Sequence, residues 1–326
     1  MTKPRVLIVG ATGRTGGVIV DGLLEAGETE VEALIRPESS IKPSILRLKD
    51  RGVKIHVAEI KDEAQLTGIL VGIDAIISAI GPGAQFDQTP LADTAKKAGV
   101  KRFVPCAFMT VCPPGGVMWI RDQKEQIYQH LRKIGLPYTI IDVGYWYQAS
   151  FPTLPSKCVD YASLLIPNVT ISGDGNMKTA LTDLRDVGPY VAKIITDDRT
   201  VNKYVFCYGE LLSQEEIFAR LEELSGEKIE RQYISPDQLL ALRETTKASF
   251  EYDLSNMKQA MTVISLEYSY SKFVRGDNSP DYAKYLGYFD ASDLYTDFVP
   301  RSFEVFAKEL LDGKAAKIFE EISLRA

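Results

Sequence analysis

Near the start of the chain, Gly10-Ala11-Thr12-Gly13-Arg14-Thr15-Gly16-Gly17 stands between the apolar run Arg5-Val6-Leu7-Ile8-Val9 and the pattern Val18-Ile19-Val20-Asp21-Gly22-Leu23-Leu24. A strand that passes into a helix through glycines lets backbone approach a phosphate, because no Cβ blocks the way and the helix start presents N–H groups to negative charge. The spacing is Gly-x-x-Gly-x-x-Gly, and the turn residues Gly10, Thr12, Gly13, Arg14, Thr15 and Gly16 are candidates to hold a dinucleotide pyrophosphate. The glycines alone would also suit an ordinary tight turn. The strand before them and the helix after them carry the assignment.

The same alternation continues along the first half of the chain. Strand-like runs at 5–9, 31–35, 53–56, 75–79, 102–105 and 138–142 are separated by helical patterns at 16–25, 62–70, 89–98 and 119–134, with Gly27, Gly72, Gly99 and Gly135 marking helix ends. Repeated β-α-β units predict an α/β protein with a Rossmann-type, doubly wound parallel sheet over residues 1–152. After Phe151 the rhythm becomes mixed. Residues 181–196 read as a helix following a strand and 203–206 as a further strand, so segments within 181–207 are expected to complete the first sheet. The remainder of 153–326 is expected to form a smaller C-terminal α+β lobe that binds substrate.

Composition excludes several functions. With 38 basic against 44 acidic side chains the net charge is -6, which lacks the basic footprint of a nucleic-acid binder. The longest apolar stretch, residues 69–81, contains Asp74 and is too short to span a bilayer, and Met1-Thr2-Lys3-Pro4 leads straight into the first strand. A cytoplasmic protein without membrane contacts is expected. Cys106, Cys112, Cys158 and Cys207 form no Cys-x-x-Cys pair, and His56 and His130 are the only histidines, so neither a metal centre nor a Ser-His-Asp hydrolase is expected.

The second strand ends in Leu34-Ile35-Arg36-Pro37, where an NAD-selective site usually carries a carboxylate for the ribose 2′-hydroxyl. Arg36 suits a 2′-phosphate instead, with Ser39, Ser40 and Lys42 close behind, so NADP(H) is the expected cofactor. Glu32, the only carboxylate in this strand, lies before its end and is not assigned to the ribose. At the end of the fourth strand, Ser78-Ala79-Ile80-Gly81 offers small residues where backbone would pass beside the cofactor, although a plain Gly/Pro turn explains them equally well.

In the helix at 119–134, Ile120, Ile127, Leu131 and Ile134 form one apolar stripe, and Lys124 falls on it, whereas Arg121, Asp122, Glu125, Arg132 and Lys133 are expected on the solvated faces. A lysine held against the protein is a candidate acid, base or cofactor clamp. No tyrosine precedes it by four residues; that position is Ile120. Tyr145, Trp146, Tyr147 and Phe151 follow the sixth strand, and Phe108 and Met109 follow the fifth. These are candidates to line a pocket for a flat, apolar substrate, with a core between the lobes as the open alternative.

Taken together, Gly10 to Gly16, Leu34 to Pro37, Lys101-Arg102-Phe103-Val104-Pro105, the helix of Lys124, and Thr182 to Gly188 through Asn202 to Phe206 resemble the NmrA-like and isoflavone-reductase-like family of atypical short-chain dehydrogenases. The resemblance covers nearly the whole chain. It implies an NADP-binding domain, a substrate pocket against the second lobe, and a reductive lysine at the position of Lys124 that acts without a tyrosine. One departure is local: many reductase members read Pro-Ser-Glu-Phe-Gly where this chain has Pro105-Cys106-Ala107-Phe108-Met109. The leading expectation is an NADPH-dependent reductase of an aromatic or polycyclic secondary metabolite. The alternatives are a cofactor-assisted rearrangement or cyclisation without net reduction, and a redox-sensing regulator that binds NADP(H) and a protein partner without turnover.

Overall fold

Five of the apolar runs become parallel strands: β1 (Arg5–Val9), β2 (Glu30–Ile35), β3 (Lys54–Val57), β4 (Ala75–Ser78) and β5 (Arg102–Val104), side by side in the order β3-β2-β1-β4-β5. The computed structural model describes residues 2–250, 257–318 and 324–325. β6 (Thr139–Asp142) lies beside β5 through a bridge between Phe103 and Tyr138, and pairs in parallel with β7 (Lys203–Phe206), which pairs with β8 (Phe289–Asp290). Strand order reverses between β1 and β4. In an open α/β sheet that reversal opens a crevice at the carboxyl ends of the strands.

Both faces of the sheet are covered, which is why β1 is a continuous apolar run. Val6 and Ile8 face one core, where the helix Arg14–Ala26 packs through Ile19, Val20 and Leu23. Leu7 and Val9 face the other, with Leu66, Leu91, Ala95 and Leu131 from the opposite helices. Gly27 and Gly135 end their helices in the left-handed conformation expected of a glycine C-cap.

The stretch 181–196 divides differently from its pattern. Thr179–Thr182 is a strand, and the helix Val187–Ile195 starts only after a short turn in which the Asp183 carboxylate accepts from the Arg185 backbone N–H. This helix crosses Arg14–Ala26 at Gly188 and Gly22. A Cβ on Gly188 would lie 2.0 Å from the Val18 carbonyl oxygen, and one on Gly22 would lie 2.2 Å from the Gly188 carbonyl carbon. Gly188→Ala is expected to force the helices apart and cost about 1–3 kcal/mol despite alanine's better helix propensity. Urea denaturation measures it; an unchanged midpoint would show that the crossing tolerates separation.

The second lobe is built on Tyr145–Trp146, Thr179–Thr182 and Glu210–Leu212, which form one small sheet, with the helices Gln214–Ser225, Pro236–Ala248, Met257–Ser269 and Phe303–Leu311. Its core gathers Tyr147, Phe151, Leu181, Phe218, Phe303 and Phe306. No helix among the described residues is long and apolar enough to cross a membrane. The described residues also hold no cluster of three or more potential metal ligands.

Candidate functional site

The glycine turn sits at the β1/β4 reversal, and its three glycines do different work. Gly10 has φ +87°, and a Cβ there would lie 2.5 Å from the Ala79 carbonyl oxygen; one on Gly16 would lie 2.0 Å from the Gly10 carbonyl oxygen. These two are demanded by the turn's own packing. Gly13 has an extended backbone, and its Cβ would meet the Gly10 oxygen at 3.2 Å and the Ala79 oxygen at 3.9 Å, so the protein itself comes close to accepting a side chain. The helix it starts has no side-chain cap and no carboxylate in its first turn. An anion is the group such an end suits, and the turn therefore fits a pyrophosphate.

Around this turn, Thr12 is exposed and Thr15 half-buried. The Arg14 Nε donates to the Ile318 carbonyl at 3.1 Å, which lays the segment 314–318 beside the helix start. A cavity of about 870 Å³ opens there, with Arg14, Arg47 and Arg185 on its walls. On the other flank, the Ala79 N–H donates to the Val9 carbonyl at 2.8 Å, so Ser78, Ala79, Ile80 and Gly81 run alongside the turn at the same sheet edge.

Arg36 leaves the end of β2 into solvent, its Nε 3.1 Å from the Glu38 carboxylate, with both side chains more than half exposed. Lys42 is also exposed, at the N-cap of the helix Pro43–Asp50, an element not expected from the sequence because its apolar stripe is so short: only Ile45 and Leu48 are buried. Glu32 is buried and taken up by Arg5 and His56. Burial pushes its carboxyl up, but those two hydrogen bonds outweigh this and hold it below the usual range.

Lys124 is 5 % exposed, and its ammonium donates to the Cys106 and Ala107 carbonyls, the second at 3.1 Å. Cys106 and Ala107 begin the segment that follows β5. The Cys106 N–H donates to buried Gln88 and its thiol to the Ile80 carbonyl, while Phe108 has φ +46° and donates its N–H to the Ile141 carbonyl. The residues that replace Ser-Glu-Phe-Gly thus knit β4, β5 and β6 together at their carboxyl ends, and Lys124 is tied to that seam.

The helix Trp119–Ile134 corrects two expectations, and the first is Glu125, which is only 8 % exposed rather than on a solvated face. Arg121, expected on a solvated face, is among the most buried side chains: it reaches the Asp142 carboxylate at 2.7 Å and the Tyr288 hydroxyl at 2.6 Å, and its Nε lies 3.2 Å from Glu125. Tyr288 donates to the same Asp142 oxygen at 2.6 Å. Burial pushes the Glu125 carboxyl up. At its N-terminus, the helix is received by the second lobe: Glu267 accepts from the Trp119 N–H at 2.8 Å, and Arg243 donates to the Gly116 and Val117 carbonyls. Both lobes therefore fix where Lys124 stands.

The aromatic candidates separate. Tyr147 and Phe151 are buried against Phe303 and Phe306, in the core of the second lobe rather than on a pocket wall. Phe108 is buried in the main core with Val104 and Ile141. Burial at long range, invisible in the sequence, places these three in apolar cores. Tyr145 and Trp146 stay partly exposed, and Met109 packs with Cys112, Met118 and Tyr268.

Comparison with known proteins agrees with this architecture. Residues 2–273 match the model of the NmrA-like family. The chain is 44 % identical to the asnovolin J 5',6'-dehydrogenase of Aspergillus novofumigatus, over 94 % of this chain and 95 % of that protein. It is 34 % identical to pinoresinol reductase 1 of Arabidopsis thaliana, over 73 % and 80 %. Among solved structures, the binary complex of leucoanthocyanidin reductase with NADPH from Vitis vinifera superposes with a TM-score of 0.78 at 25 % identity, covering 94 % of this chain and 99 % of that one. With its doubly wound sheet, its glycine turn and this match over most of its length, the chain belongs to the NmrA-like family.

Proposed function

We propose that this NADP-dependent oxidoreductase exchanges a hydride with an aromatic or polycyclic secondary metabolite bound between Lys124 and Tyr145, in the reductive direction with NADPH. The observation that carries the reading is Lys124 itself, a buried ammonium at the carboxyl edge of the sheet. The names of the relatives support it: one dehydrogenates asnovolin J, and another reduces pinoresinol.

NADP(H), when bound, supplies or takes the hydride. The uncapped helix start and the bare Gly13 hold its phosphates, and Arg36 with Lys42 meets the 2′-phosphate. An ammonium has three N–H donors. Lys124 donates to the Cys106 and Ala107 carbonyls and lies 3.8 Å from the Cys106 sulfur, a weak acceptor whose place a substrate oxygen with developing negative charge takes. From that position Lys124 stabilises the charge or passes a proton to it. Tyr145 and Met109 offer an apolar wall that keeps water from the reacting atoms.

Two measurements test the reading. Pinoresinol with NADPH and asnovolin J with NADP+ are incubated with the protein, following nicotinamide absorbance and the mass of the product. Gain or loss of two hydrogens by either compound supports it. Binding of NADP(H) with no turnover of either class favours the regulator instead.

Cofactor preference is a separate prediction. Exposed as it is, the pair with Glu38 is worth little, so Arg36 is available to a 2′-phosphate. NADPH is expected to bind more tightly than NADH by about 1.5 kcal/mol or more, roughly tenfold, and Arg36→Ala to remove most of that margin. Equal wild-type affinities in calorimetry would reject the assignment.

A further inference from the structure

A second buried lysine borders the same region from the other lobe. The helix Met257–Ser269 continues into a widened π-helical turn, Tyr270–Arg275, and widened turns of this kind often sit at functional sites. Lys272 on this turn is 4 % exposed, and its Nζ lies 3.2 Å from the centre of the Tyr145 ring and 4.7 Å from that of Phe273. Among the described residues, nothing forms a hydrogen bond or an ion pair with it. The acids nearest in sequence are engaged: Asp277 holds Ser271 and Arg275, and Glu267 holds the Trp119 N–H. Lys124 is different, since backbone carbonyls satisfy it.

Packing connects Lys272 to the reactive edge. Its partner Tyr145 lies three residues beyond the end of β6 and 5.3 Å, ring to ring, from Tyr268. Tyr268 and Ile120 both pack against the cluster of Met109, Cys112 and Met118, and Ile120 lies one helical turn before Lys124. Two lysines from two lobes therefore flank one apolar region. An amine removed from water without a counter-ion or acceptor is costly, and a ring face compensates only part of that cost. Departures from such a rule are expected at functional sites.

We propose that Lys272 is a substrate-binding amine, and that the metabolite lying against Tyr145 carries an acidic oxygen, a carboxylate or an enolised carbonyl, which pairs with it. This deepens the functional reading above and rests on it. Burial drives Lys272 well below the ordinary lysine range, so the amine gains its proton as the acidic group arrives, from the O–H of an enol or, for a carboxylate, from solvent. The pair so formed anchors the far end of the ring system, while Lys124 attends to the reacting end.

The test uses the full chain saturated with NADP+ and two probes of one shape, naphthalene-2-carboxylate and naphthalene-2-carboxamide, titrated calorimetrically. The carboxylate is expected to bind about tenfold more tightly or better, the margin of one well-formed charged contact. Lys272→Met is expected to erase the margin by lowering carboxylate affinity far more than carboxamide affinity, and to raise the melting temperature, because an uncompensated amine has gone. Equal affinities in the wild type overturn the role of Lys272 and leave the aromatic pocket standing. A margin that survives in Lys272→Met also overturns it, and binding of neither probe overturns pocket and lysine together. Lys272→Gln carries the same comparison where Lys272→Met fails to fold.

Discussion

Lys124→Met is expected to lower turnover by about a hundredfold or more at saturating NADPH, the range spanned by loss of a general acid or of a charge aimed at the transition state. Methionine matches the length and apolar bulk of the lysine stem, so the helix face should still pack. It cannot donate to the Cys106 and Ala107 carbonyls, however, which lose their ammonium partner. A stability loss of about 1–3 kcal/mol is therefore expected alongside the kinetic one, with the melting point falling by several degrees rather than staying constant. Turnover measured well below both melting temperatures separates the two effects. Unaltered turnover would take Lys124 out of the chemistry, and a protein already unfolded under assay conditions would return it to a structural part.

Gly13→Val should abolish dinucleotide binding, by about a hundredfold or more in affinity, in a protein that still folds. The prediction is specific to this glycine. Its extended backbone suits a β-branched residue, and the nearest obstacles to a Cβ are 3.2 Å and 3.9 Å away, so the side chain would occupy the space kept for phosphate. Gly16→Ala provides the contrast, because its Cβ would lie 2.0 Å from the Gly10 carbonyl oxygen. That variant is expected to lose stability together with binding. Calorimetry and circular dichroism on both variants distinguish an occupied cradle from a broken turn; NADPH affinity retained in Gly13→Val would make the turn purely structural.

Lys124 and Gly13 both belong to features that are legible in the amino-acid sequence. Strands such as Arg5–Val9, the glycine turn and the helix Trp119–Ile134 with Lys124 on its inward stripe are set by local patterns: apolar periodicity, small residues where backbone needs room, and glycine at helix ends. Each depends on neighbours within a few positions, so one sequence suffices to see it. Arg36 at the end of β2 is visible for the same reason.

Other parts depend on partners far along the chain. Periodicity puts Arg121 on a solvated face, yet Asp142 and Tyr288, 21 and 167 residues away, make its burial tolerable, and their position follows only from the docking of the second lobe. Tyr147 and Phe151 read as a pocket wall until Phe303 and Phe306 cover them. β8, the Glu267 contact that receives the Lys124 helix, and the approach of Lys272 to Tyr145 have the same origin. The α/β layout, the phosphate turn and the inward lysine thus follow from the order of residues, because short-range backbone and periodicity rules are enough to produce them. Which charges are buried and which aromatic rings remain open follows from long-range packing, because the burial of a side chain is a property of what lies over it, and here that cover comes from segments up to 167 residues away.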